Sequence, residues 1–146
     1  MASVTLGLNC KIYHNTGNYA SPVWVEDSNV RDVTLGIDIE EADASIRGGG
    51  GHKWSEPTLI GDSIEFEKND DPTDTFLTAL IDAALARTAI EFLVLNGPVL
   101  TTGSRGLRAT MKVFKCSQKQ GLKDISTWEI SLKPCVAANP PAKYVA

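Results

Sequence analysis

The sequence is poor in the residues that most chemistry needs. It has two histidines, His14 and His52, and three cysteines, Cys10, Cys116 and Cys135, with no C-x-x-C pair. An odd set of scattered cysteines reads as reduced thiols in a cytoplasmic protein. Cys10 and His14 fall on one strand-like stretch, where four residues span about 13–14 Å, and no other ligands stand where they would complete a zinc site. There is no G-x-S-x-G, no H-E-x-x-H and no Cys/His pair set up as a nucleophile. The glycines at 48–51 precede neither G-K-[ST] nor a strand-to-helix turn, so they are not a phosphate loop. The reading is a protein without catalytic residues, metal or cofactor. No apolar run approaches the roughly eighteen residues that cross a bilayer, and Met1, Ala2 and Ser3 open onto a strand pattern rather than a signal peptide. No period of about 20–50 residues repeats.

What the chain does have is alternation and an uneven charge. Its 146 residues carry 18 acids and 14 bases, for a net charge of −4. Up to Thr102 there are 16 acids and 6 bases; beyond it there are 2 and 8, so the two parts stand near −10 and +6. Such a split fits a basic nucleic-acid-binding arm or self-association through complementary faces. The length is enough for one folded domain, residues 1–134, followed by an extended tail over 135–146.

The organising stretch is 29–68. Its first arm alternates Val33, Leu35, Ile37 and Ile39 with Asp32, Thr34, Asp38 and Glu40, and its return arm alternates Ile64 and Phe66 with Glu65 and Glu67. Side chains change face at each residue of a strand, so each arm has an apolar and an acidic face. Asp38, Glu40, Glu41 and Asp43 form a flat solvated row rather than the converging oxygens a cation wants. The loop between the arms, 42–58, is far longer than a hairpin needs. It holds Ile46, Arg47, Gly48, Gly49, Gly50, Gly51, His52, Lys53 and Trp54. Ile46 and Trp54 are costly to leave in water, so the pattern predicts a loop that orders against a neighbour.

Around this stretch, Val4, Leu6, Leu8, Cys10 and Ile12 alternate as an N-terminal strand, and Trp24 in the next one plugs the core or a subunit contact. Asp71 as N-cap, Pro72 at the first helical position and Asp74 near the positive end predict a helix over 71–87. Phe76, Leu77, Leu80, Ile81, Ala84 and Leu85 form its apolar stripe, which should cover a sheet. Ala89 to Leu95 reads as a strand buried on both faces, and 99–102 as a short strand or edge. Leu107, Ala109, Met111 and Val113 alternate until parity slips at Val113 and Phe114, as a β-bulge would make it do, placing Phe114 and Cys116 on the apolar side. Trp128, Ile130 and Leu132 mark the last strand, which Pro134 ends; the Ala137 to Pro141 segment cannot join a sheet. The sum is mainly β with one flanking helix (α+β): a β-sandwich or partly open barrel.

The order of these pieces resembles the phage major tail tube protein family. The matching residues are Lys11-Ile12-Tyr13, Trp24-Val25-Glu26, Val30 to Leu35, Glu41-Ala42-Asp43 through Ser45 to Arg47-Gly48, Gly51 and Trp54. Ser63 to Glu67, Asp71-Pro72, Gly103 to Leu107 and Ser131 to Pro134 continue the likeness over nearly the whole chain. The resemblance implies a subunit that forms hexameric rings stacked into a hollow tube. Its strands would join a continuous inner barrel around a lumen that passes DNA without binding it. Its helix would meet the next subunit through Phe76, Leu77, Leu80 and Ile81, and its long loop would reach the adjacent ring. Tail terminator, tape measure and baseplate-type proteins are the implied partners, and the virion tail, after assembly in the bacterial host cytoplasm, the implied location. Contractile and secretion-system tubes share the plan.

A wall that passes DNA should be hydrated and mildly repulsive, since lysines or arginines there would grip phosphate. The acidic parity of Asp32, Asp38, Glu40, Glu65 and Glu67 suits such a wall, while the basic 105–123 region should meet acidic patches laterally or face outward. Three other readings compete, the first being a tube of a phage-derived injection or secretion device, with the same architecture and a protein cargo. A small nucleic-acid-binding barrel wants aromatics between its bases, and alternation puts Phe114 and Trp128 on the core side. A carbohydrate-binding sandwich would need surface aromatics, for which Tyr13, Tyr19 and Trp54 are the candidates.

Overall fold

The computed structural model describes residues 3–146. Eight strands pair antiparallel into one open sheet in the order β2-β1-β5-β6-β7-β4-β3, with β8 added beside β6. They are β1 (Lys11–Asn15), β2 (Trp24–Glu26), β3 (Val30–Asp43), β4 (Ser55–Asn69), β5 (Ile90–Leu95), β6 (Arg105–Lys119), β7 (Thr127–Pro134) and β8 (Ala142–Val145). The one α-helix among the described residues, α1 (Thr75–Ala86), follows β4. The mainly-β, one-helix class holds; the strands are hydrogen-bonded into one sheet rather than divided between two facing ones.

The helix covers the sheet as its apolar stripe requires. Leu77 and Leu80 sink between Ile12, Ile64, Phe66, Phe92, Leu107, Ala109, Met111, Ile130 and Leu132, which alternate inward from five strands. A smaller cluster on the opposite face joins Tyr13, Leu93 and Leu95 with Trp24, Val99 and Tyr144. Phe92 and Leu93 are both fully buried, so β5 is covered on both faces, as its unbroken apolar run indicates. Trp24 meets Tyr144 edge-on with ring centroids 6.2 Å apart. Gly106 lies so close to β5 that a Cβ there would fall 1.6 Å from the Val94 carbonyl oxygen, which bars any side chain. Where parity slips in the sequence, the β6–β7 register shifts between Val113 and Lys115.

Several elements differ from their sequence patterns. Residues 3–10 alternate like a strand but form only a short 3-10 turn (Gly7–Asn9), with Val4, Leu6 and Leu8 exposed. A strand pattern needs an adjacent edge, and here pairing starts only at Lys11. Residues 99–102 turn instead of extending. Phe114 sits at the bulge, where it has no opposite residue on β7, and is 61% exposed beside Lys133.

The helix starts later than Asp71 and Pro72 imply. The Asp71 carboxylate accepts from Thr73 N and Oγ1 in a turn, which lowers its pKa, and Asp74 becomes the cap, accepting from Phe76 N and Leu77 N at 3.1 and 3.2 Å. Leu85 falls outside the buried stripe. In the tail, residues 137–141 stay out of the sheet, but β8 rejoins it along β6, with Arg105 opposite Val145 and Arg108 opposite Ala142. Pro134 does end β7, and β8 then takes up the pairing along β6 at residues 105–108.

Candidate self-assembly interface

The β3–β4 pair is a long arm that leaves the body of the protein. Its base joins the core through Leu35, opposite the fully buried Ile64, while Val33, opposite Phe66, is 38% exposed. Further out on the same face Ile37, Ile39 and Ile60 are 56–64% exposed, and Leu59, at the register shift beside Ile60, is 69% exposed. The strands run on to Asp43 and from Ser55, so the loop is 44–54, shorter than 42–58. The tip is folded rather than slack. Arg47–Gly49 makes one 3-10 turn, and Gly50 and Gly51 take left-handed φ values of 68° and 83°, which glycine adopts without strain. Trp54 N donates to Ser45 Oγ and Trp54 O accepts from Ala44 N, while its ring lies against Gly49 and remains 47% exposed. Ile46 is 61% exposed. Arg47, Gly48, His52 and Lys53 are exposed at the same tip.

The acidic residues fall where alternation puts them. Thr34 lies opposite Glu65 and Asp38 opposite Gly61, on the face away from α1. Asp32, Thr34, Glu65 and Glu67 line a shallow cleft of about 290 Å³ there, and Glu40 stands beside the register shift between Ile39 and Glu41. The same cleft also contains Glu129 and Lys115, whose side chains pair at 3.5 Å. Register explains why: Glu65 faces Ser131, which faces Lys115, and Glu67 faces Glu129, which faces Ser117. Opposite residues share a face, so Lys112, Lys119 and Lys133 lie on this side too. The lysines of β6 are therefore not a separate outer patch. The polar parity of β7 was visible in its alternation, but which side of the sheet it shared required the strand order.

Of the four helix residues assigned to a lateral contact, Leu77 and Leu80 are 4% and 0% exposed and are spent on the protein's own core. Ile81 also packs on that core, and Phe76 stacks on His14 at 3.8 Å. The helix stripe that periodicity exposes is the one that holds the fold together. Thr78, Ala79, Asp82 and Leu85 face outward instead.

Beneath Phe76 lies a charged cluster that alternation did not reveal. Lys68, the last inward position of β4, is fully buried, with Nζ donating to both Asp27 oxygens at 2.7 and 2.6 Å and lying 3.0 Å from Asp74 Oδ2. Asn29 Nδ2 donates to the same Asp74 oxygen. Burial pushes the Asp74 pKa up, but hydrogen bonds from Lys68, Asn29 and Leu77 N outweigh it and hold the carboxyl below its usual value. His14 is held below 6.5, chiefly by burial, with Lys68 acting the same way and Asp27 and Asp74 opposing. The folded protein therefore favours neutral His14. As pH falls through about 6.5 the unfolded chain takes up a proton that the fold resists, so stability declines. Urea midpoints should drop between about pH 7 and pH 5 in the native chain, and less steeply in His14→Gln. Equal slopes would contradict the assignment.

No protein-family model and no curated protein matches the sequence. The fold nevertheless recurs in solved structures. A chain of the SPP1 tail tube superposes with a TM-score of 0.72 at 14% identity, covering 98% of this chain and 80% of that one. A chain of the virion of a native gene transfer agent particle gives 0.69 at 14%, covering 98% and 99%. A chain of the anti-feeding prophage baseplate gives 0.68 at 9%, covering 99% and 97%. The class that the architecture defines is the tail-tube fold, one antiparallel sheet flanked by one helix. This chain adopts it over almost its full length.

Proposed function

We propose that the chain is a non-enzymatic structural subunit of a virion tail tube, assembling with copies of itself into hexameric rings that stack into a hollow conduit for DNA. The observation that carries this reading is the β3–β4 arm. Fourteen residues of β3 form an unpaired edge, and the outer half of the arm exposes apolar side chains that a monomer has no use for. The likeness to tail-tube chains supports it, and likeness to cap and terminator structures supports terminator- and baseplate-type partners. The arm tip, 44–54, reaches the next ring, with Trp54 as its anchor and Arg47 and Lys53 meeting carboxylates there. The face carrying Asp32, Asp38, Glu40, Glu65 and Glu67 lines the channel; it also carries Lys112, Lys115, Lys119 and Lys133, so its wall is mixed in charge, with Lys115 already held by Glu129 at 3.5 Å.

Likeness to an extracellular contractile injection system chain favours a second reading, a tube that passes protein cargo. Purified particles separate the two: nuclease-protected DNA supports the first and protected protein alone the second. Sedimentation of the purified chain tests both, since each requires large, concentration-dependent assemblies, and a monomer at every concentration contradicts each.

A further inference from the structure

The sheet has two unpaired edges on its acidic half, and they carry opposite charge. One is the outer edge of β3. The other is the stretch 112–119 of β6: β5 pairs with β6 only up to Met111, and beyond it the β5-side edge has no strand partner among the described residues. On the shared face, β3 presents Asp32 and Asp38, with Arg31 turned toward Glu67 of β4 at 3.9 Å, and this part of β6 presents Lys112, Lys115 and Lys119.

We infer that the edge of β3 in one subunit pairs with residues 112–119 of β6 in the next, and that these charges select this contact over self-pairing of either edge. The inference rests on the ring reading above. Strand direction alternates through β6, β7, β4 and β3, because each neighbouring pair is antiparallel. Rotation about a ring axis therefore brings β3 antiparallel to the next β6, which continues the sheet without a break. The spacing also agrees. Lys112 and Lys119 lie opposite Lys133 and Thr127, six positions apart, as are Asp32 and Asp38. One register thus sets Asp38 beside Lys112 and Asp32 beside Lys119, with Thr34 beside Ser117 and Gly36 beside Lys115.

A two-fold contact would behave oppositely. Pairing β3 with β3 places aspartates against aspartates on one face, and pairing β6 with β6 places lysines against lysines. Like charges directly opposite are unfavourable, so each edge rejects itself and accepts the other. A head-to-tail contact of this kind closes into a ring, whereas a two-fold contact stops at a dimer.

Two variants test this. Asp32→Lys with Asp38→Lys makes both edges basic; Lys112→Glu with Lys119→Glu makes both acidic. Each alone should assemble at least about tenfold less than the native chain at low salt, while melting as a folded monomer by circular dichroism. Mixed in equal amounts they should assemble again, since alternating copies restore an acid–lysine pair at every seam of an even-membered ring. Added salt should weaken both the block and the rescue. Rescue on mixing supports the inference. Unimpaired assembly of either variant alone, or folded variants that stay apart when mixed, overturns the seam while leaving the tube reading intact. Failure of the native chain to assemble overturns the reading itself.

Discussion

Replacing Lys68 by Ala should cost about 3–5 kcal/mol of folding stability, the range measured when one partner of a buried ion pair is removed. The reason is what remains. Asp27 and Asp74 would keep their places under Phe76 with no cation, and Asp74 would still have to cap α1. Because a domain has only about 5–15 kcal/mol in all, the variant should lie close to unfolding at room temperature. Removing the charges together behaves differently. Lys68→Met with Asp27→Leu and Asp74→Asn should recover most of the loss, since Asn still caps and a well-packed apolar group replaces a buried pair at little cost. Urea unfolding of both variants reads this directly. A change below about 1 kcal/mol in the single variant would mean that the cluster is solvated like a surface pair.

Removing Gly48, Gly49, Gly50 and Gly51, or changing Trp54 to Ala, should prevent stacking while leaving the subunit folded. The Trp54 ring lies against Gly49 and is 47% exposed, so its loss should move the melting temperature little. In the assembled tube it is proposed as a buried anchor, and loss of such an anchor costs about 2 kcal/mol or more per contact. That is roughly a thirtyfold weaker association, repeated around every ring. Native-length tubes from both variants would remove the arm tip from the assembly.

The features legible in the sequence were those set by local periodicity. The two faces of β3 and β4, the buried strand β5 and the bulge after Val113 follow from which residues alternate and where the alternation slips. What was illegible depended on partners distant in sequence. Residues 3–10 have a strand's pattern but no edge to join, so they stay unpaired. Lys68 looks like the polar end of a strand until Asp27 and Asp74 arrive from 41 positions before it and from the helix cap. The cap moved from Asp71 to Asp74 for the same reason: the carboxylate that also meets Lys68 is the better anchored one. Strand order alone shows that the β6 lysines and the β3 acids share a face.

The central claim is that this subunit is completed by copies of itself, and negative-stain electron microscopy of the purified, concentrated chain tests it most directly. Rings or hollow tubes with a continuous wall are the predicted result. A field of separate single subunits at high concentration and low salt would contradict the account.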